Sequence, residues 1–201
     1  MSDRTDIHAD DRLRTIEAGF RGDATVARDS LLHADAAVRA SALVALDRIG
    51  SLTDDDVRTA LADSDPRVRR TALELSPAHP AVEVHALVDD TDLFVAEMAA
   101  WAVGERTEPG DAAVVLLVDR TTSHPEQLVR EACAAALGSI GDPRGLPAIL
   151  SACNDKPAVR RRAVLALAPF EGPEVDAALQ HALQDRDWQV RQNAEILLNP
   201  R

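Results

Sequence analysis

Three features of the sequence predict an all-α chain built from repeated helix pairs, an α-solenoid. A short motif returns six times, apolar residues recur at helical spacing, and no segment alternates convincingly with period two. The copies align on Val38, Val68, Val95, Val129, Val159 and Val190, which lie 30, 27, 34, 30 and 31 residues apart. In five copies Arg follows the valine: Arg39, Arg69, Arg130, Arg160 and Arg191. Ala stands four positions after it in five copies, and Cys133 takes that place in the fourth.

Each copy reads as two helices, the second starting near the valine. An acidic residue three positions before the valine (Asp35, Asp65, Asp92, Glu126 or Asp187) is placed to cap that helix, accepting bonds from free backbone N–H groups. Pro66 and Pro157 stand in the first turn, where a missing N–H costs little. Apolar residues follow at the valine, +4, +5 and +8, one helix face, as in Val38, Ala42, Leu43 and Leu46. The first helices are expected near Ala24–His33, Asp54–Ala62, Ala81–Asp89, Asp111–Thr121, Gly145–Cys153 and Pro173–Gln184. A further helix near Asp10–Phe20 is expected to cover the first repeat, and Gly50, Gly104, Gly141 and Gly172 are read as turns.

The D-x-x-V-R-x-x-A motif resembles the HEAT-like repeat family, in the short form named after phycobilisome bilin lyases. The resemblance covers residues 24–198. It implies a right-handed stack of about six helix pairs, with the second helices lining a concave side. Residues 1–22 are then a tail and capping helix, and residues 23–201 one repeat array. The repeats fall near 24–50, 54–77, 81–105, 111–141, 145–170 and 173–199. Copy three departs by placing Ala96 where Arg stands elsewhere. Copy two departs by ending early at Ser76-Pro77, and copy four by its polar insert, Thr121–His124.

Composition narrows the function. Among 201 residues there is no Tyr, with three Phe and two Trp, so base stacking on aromatic rings is disfavoured. A net charge of −12 disfavours general affinity for DNA or anionic membranes. No apolar run reaches the roughly 20 residues of a membrane-spanning helix. Met1–Asp11 is polar, without a signal-peptide core, so a cytoplasmic location is expected, with Cys133 and Cys153 as free thiols.

The arginine row Arg39, Arg69, Arg130, Arg160 and Arg191 has two readings: a basic stripe for phosphate, or a structural ladder. In the ladder, which the net charge favours, each Arg reaches the cap acid of an adjacent copy (Asp35, Asp65, Asp92 or Asp187). Trp101 lies six after its valine, where the other copies hold Val44, Glu74, Ala135, Leu165 and Ile196. Positions two after the valine, Arg70, Glu97 and Arg161 among them, share that face. Trp101, Glu97, Glu74, Arg70, Arg161 and Leu165 are therefore the candidate groove residues, with Trp101 as a binding anchor. Packing of Trp101 beneath the next repeat is the competing reading. Trp188 is expected to close the C-terminal end of the core.

No histidine pair at i, i+4 and no Cys-x-x-Cys spacing is present, so no metal or other cofactor is expected. The runs Asp54–Asp56 and Asp89–Asp92 lack the calcium-loop pattern. No catalytic constellation is legible either. The favoured reading is a non-enzymatic scaffold or adaptor, holding a peptide or protein domain in its groove. Resemblance leaves two alternatives, a nucleic-acid enzyme similar to HEAT-like alkylpurine DNA glycosylases and a bilin-lyase-like accessory protein. A monomer is expected, because Gln189, Gln192 and Glu195 give the last helix a polar outer face.

Overall fold

A computed structural model describes residues 3–199. The described residues contain helices, turns and loops, and no strand. The chain divides into two compact units, Met1–Val84 and His85–Arg201.

The first unit holds α1 (Asp3–Arg21), α2 (Ala24–Ser30), α3 (Ala36–Ile49), α4 (Asp54–Leu61) and α5 (Pro66–Leu75). α3 packs on α1, α2 and α5, and α4 packs on α5. Leu46 and Ala45 of α3 meet Ala27 of α2, with Leu31, Ile49 and Leu52 sealing the contact. The second unit opens with a 3-10 turn, His85–Asp89, followed by α6 (Leu93–Gly104), α7 (Asp111–Ser123) and α8 (Gln127–Ile140). A 3-10 turn at Pro143–Gly145 leads into α9 (Leu146–Ala152), α10 (Pro157–Ala166), α11 (Pro173–Ala182) and α12 (Trp188–Leu198). Here α8 packs between α6 and α10, and α10 also meets α12.

The motif fixes the core. Val38, Ala42, Leu43 and Leu46 are all buried, and so are Val129, Cys133, Ala134 and Leu137, and Val159, Ala163, Val164 and Leu167. Copy two keeps the pattern with Ser76, which satisfies its buried hydroxyl by donating to the Leu73 carbonyl at 2.8 Å. Asp35, Asp65, Asp92 and Asp187 each accept from a backbone N–H of the following turn. Glu126 occupies the same position on α8 but makes no side-chain cap bond.

Two expectations are corrected. The first helix of copy three, expected at Ala81–Asp89, is only the 3-10 turn His85–Asp89. Val82 and Val84 are both buried while Ala81 and Glu83 are exposed. Residues two apart do not share a helix face. The chain from 80 to 84 runs through a turn, with the Val82 N–H donating to the His79 carbonyl at 3.0 Å, and a loop; Pro80 withholds an N–H there. Gly104 is likewise no turn. It lies within α6, buried, and a Cβ there would come 2.9 Å from the Ala136 Cα of α8. Gly50 and Gly141 do end α3 and α8 in left-handed conformation, with φ of 74° and 68°.

Among the glycines the closest approach is at Gly138 of α8, where a Cβ would lie 2.6 Å from the Ala166 Cα of α10. Alanine is the better helix former by about 1 kcal/mol. Gly138→Ala is nevertheless expected to destabilise the protein by about 1–3 kcal/mol, because backbone must move to admit the methyl group. Urea denaturation of the variant and the parent measures this.

Candidate functional site

One device recurs in the loops ahead of the second helices. Two residues before the cap, a side chain accepts the N–H of the cap residue itself. Asp63 does so for Asp65 at 2.9 Å, Asp90 for Asp92 at 2.8 Å and Asp185 for Asp187 at 2.8 Å. His33 and His124 do the same through Nδ1, toward Asp35 and Glu126. In copy five Asp155, one residue before the cap, accepts from the Lys156 N–H at 2.6 Å.

The motif arginines grip these loops. Each donates backward to a carbonyl in its own loop: Arg39 to His33, Arg69 to Asp63, Arg130 to His124, Arg160 to Asp155 and Arg191 to Asp185. Arg39, Arg130 and Arg160 also reach forward with a two-pronged bond to a carboxylate in the next loop. Arg39 holds Asp63 at 2.8 and 2.7 Å, Arg130 holds Asp155 at 2.6 and 3.0 Å, and Arg160 holds Asp185 at 2.8 and 2.9 Å. This corrects the expected ladder. For these three arginines the partner is not the cap residue of the next copy but the acid just before it: Asp63 ahead of Asp65, Asp155 ahead of Lys156 and Asp185 ahead of Asp187. Asp187 does receive an arginine from the preceding copy, but it is Arg161, at 2.6 Å.

The pattern explains its own exceptions. Copy three has Ala96 in place of the arginine, and the loop that follows has His124 in place of the acid. The imidazole accepts the cap N–H without leaving a half-buried carboxylate unpaired.

The groove candidates lie on the second helices, in both units. In the first unit Arg70 lines a cleft of about 600 Å³ over α3, flanked by α1 and α5. Arg12, Arg48, Arg67, Phe20 and Val44 join it. Glu74 is exposed on α5 but does not line this cleft. In the second unit Trp101 is 40% exposed and lines a cleft of about 290 Å³ between α6 and α8. Glu97, Glu105, Glu131 and Leu128 line it too, with Arg162 3.7 Å from Glu131. Leu165 is 39% exposed on α10 and Arg161 is bound to Asp187; neither lines the Trp101 cleft. Trp188 does not close the core. It is 61% exposed, because the first residue of α12 projects from the packed face that begins at Val190.

The structure also gathers residues distant in sequence. Ligand atoms of His8, Asp11 and His33 lie within 4.8 Å of one another, a cluster that helix spacing could not reveal. They do not suit a metal. His33 Nδ1 accepts the Asp35 N–H at 3.0 Å, so Nε2 carries the proton and donates to Asp11 at 3.2 Å. Neither thiol suits a nucleophile: both cysteines are free, and burial pushes each up to about 12.

Comparison with known proteins agrees with this architecture. A family profile described as HEAT repeats matches residues 114–199, from within α7 to the end of α12. No curated protein matches the chain. Among solved structures, a designed armadillo repeat protein in complex with the peptide (KR)4 aligns at TM-score 0.65 and 17% identity, covering 86% of this chain and 96% of its own. A chain from the structure of Kap95p binding to RanGDP aligns at TM-score 0.63 and 16% identity, over 87% of this chain and 29% of that one. The Escherichia coli protein YibA aligns at TM-score 0.60 and 18% identity, over 98% and 75%. These likenesses show the fold, an all-helical repeat solenoid. No described helix is long and apolar enough to cross a membrane.

The forward salt bridges give stability a sign with pH. Hydrogen bonds from Arg39, Arg130 and Arg160 hold the Asp63, Asp155 and Asp185 carboxyls below the usual carboxylate range. A group lowered on folding contributes its stability above its unfolded pKa and loses it as pH falls toward the folded value. The melting temperature is therefore expected to fall steeply below about pH 4, where unfolded carboxyls protonate. Asp185→Asn is expected to lower it at pH 7 and to flatten the acid fall. Thermal unfolding followed by circular dichroism across pH 3 to 7 measures both.

Proposed function

We propose that this chain is a non-enzymatic protein-interaction module, holding a peptide or a protein domain on the exposed face of its second helices. The observation that carries the reading is Trp101, a large aromatic left 40% exposed over the α6–α8 cleft while its neighbours Ala100, Ala102 and Val103 are buried. An exposed Trp beside a recess is the usual anchor of a protein interface. Glu97, Glu105 and Glu131 around it, set against Arg162, favour a partner that places a basic residue beside an apolar anchor. Leu165 and Arg161 on α10 offer further contacts on a second-helix face of the same unit, while Arg70 and Glu74 lie on α5 of the first unit. The solved relatives point the same way: the designed armadillo protein holds the peptide (KR)4, and Kap95p binds RanGDP.

Affinity capture from the native lysate with parent and Trp101→Glu as paired baits tests the proposal. The partner identified by mass spectrometry is then titrated in purified form. Trp101→Glu is expected to fold with parental helicity and to weaken that partner by about 2 kcal/mol or more. Capture of the same proteins by both baits contradicts it, as does retention of nucleic acid or a coloured tetrapyrrole instead of a protein.

A further inference from the structure

The cleft over α3 in the first unit shares no lining residue with the Trp101 cleft, and its chemistry is opposite. Arg12, Arg48, Arg67 and Arg70 converge on it, and no acidic side chain lines it. This is out of character for a chain of net charge −12. Other arginines of the same unit are bound to carboxylates, Arg28 to Asp56, Arg39 to Asp63 and Arg58 to Asp55, though among the described residues Arg14, outside the cleft, is not. In the cleft only Arg67 is so held, by Asp65 at 3.3 Å. Among the described residues no carboxylate pairs with Arg12, Arg48 or Arg70.

Two of these cations, Arg48 and Arg12, are held in place by the cleft itself. The Arg48 guanidinium lies 4.2 Å from the centre of the Phe20 ring, and Arg12 Nε donates to Ser41 Oγ at 3.2 Å. A guanidinium stacked on an aromatic face keeps its edge N–H donors directed outward, in the fork that fits a carboxylate. Between the cations the surface is apolar and exposed: Ile16, Val44 and Phe20, the last 69% exposed. The ligand must therefore present carboxylates and apolar side chains together. A nucleic-acid backbone would use the cations and leave the apolar surface wet.

We infer that the α1–α3–α5 cleft binds an acidic, amphipathic peptide segment of a partner protein. Its carboxylates bond to Arg12, Arg48 and Arg70, and its apolar side chains cover Ile16, Val44 and Phe20. The cleft volume, about 600 Å³, is within the range of pockets that enclose a ligand.

Fluorescence anisotropy of the full chain with a labelled peptide of glutamate, aspartate, leucine and phenylalanine tests this. The same peptide with lysine at every acidic position, a single-stranded oligonucleotide and phosphatidylserine vesicles are the comparison probes. Expected is saturable binding of the acidic peptide alone, weakened about tenfold or more in the Arg48→Glu/Arg70→Glu variant and by added salt. Phe20→Ala is expected to weaken it as well, by removing apolar cover and releasing Arg48. Melting curves establish that both variants remain folded. Equal binding of the lysine peptide overturns the inference. So does acidic-peptide binding indifferent to the arginine variant, binding of only the oligonucleotide or vesicles, or no binding at all.

Discussion

Between consecutive helix pairs within a unit the same bond recurs: an arginine on one second helix grips the carboxylate in the loop ahead of the next. Arg39 and Asp63 form it in the first unit, Arg130 with Asp155 and Arg160 with Asp185 in the second. The bond does more than join two charges. The same arginine binds carbonyls of its own loop, and each of the three aspartates accepts the N–H of the helix cap. Loop shape, helix start and the register between repeats are thus fixed by one connected set of hydrogen bonds. Arg130 and Arg160 are 9% and 8% exposed, so water competes little for them.

That register decides what the outer faces of the second helices can do. With the valine, +4, +5 and +8 positions packed inward in the first five copies, the +2 and +6 positions lie on the outer side. Small residues then set the depth of the recess: Gly104 against Ala136 brings α6 close to α8 beside Trp101. The two units share this backbone logic and differ in charge. Arginines line the cleft of the first, and glutamates predominate in that of the second. Repeat proteins separate scaffold from specificity in this way, since the core positions hold the stack while the outward ones vary.

The repeated core was legible in the sequence because it rests on local periodicity. The inward positions of α3, α8 and α10 could be named residue by residue, and so could the cap aspartates. Three things were not legible. Copy three lost most of its first helix to a turn and loop in which Val82 and Val84 are buried, a burial that no helical count anticipates. The partners of Arg39 and Arg160 were misassigned by two residues, and that of Arg130 by one. The Asp or His two before the cap recurs in five of the six copies, but which carboxylate a long side chain reaches is a matter of three-dimensional geometry. The first-unit cleft depends on α1, whose Arg12, Ile16 and Phe20 carry no repeat signature and so passed as a plain capping helix. Trp188 shows the converse error, since an aromatic near a chain end need not be core.

The account stands on the coupling between motif arginine and loop acid, and a double-mutant cycle on Arg130 and Asp155 tests it most directly. Arg130→Met, Asp155→Asn and the double variant are compared with the parent by urea denaturation. The connected network predicts a coupling energy of about 1.5–3 kcal/mol. Additive single losses, with coupling below about 0.5 kcal/mol, would show that the repeats keep their register by apolar packing alone.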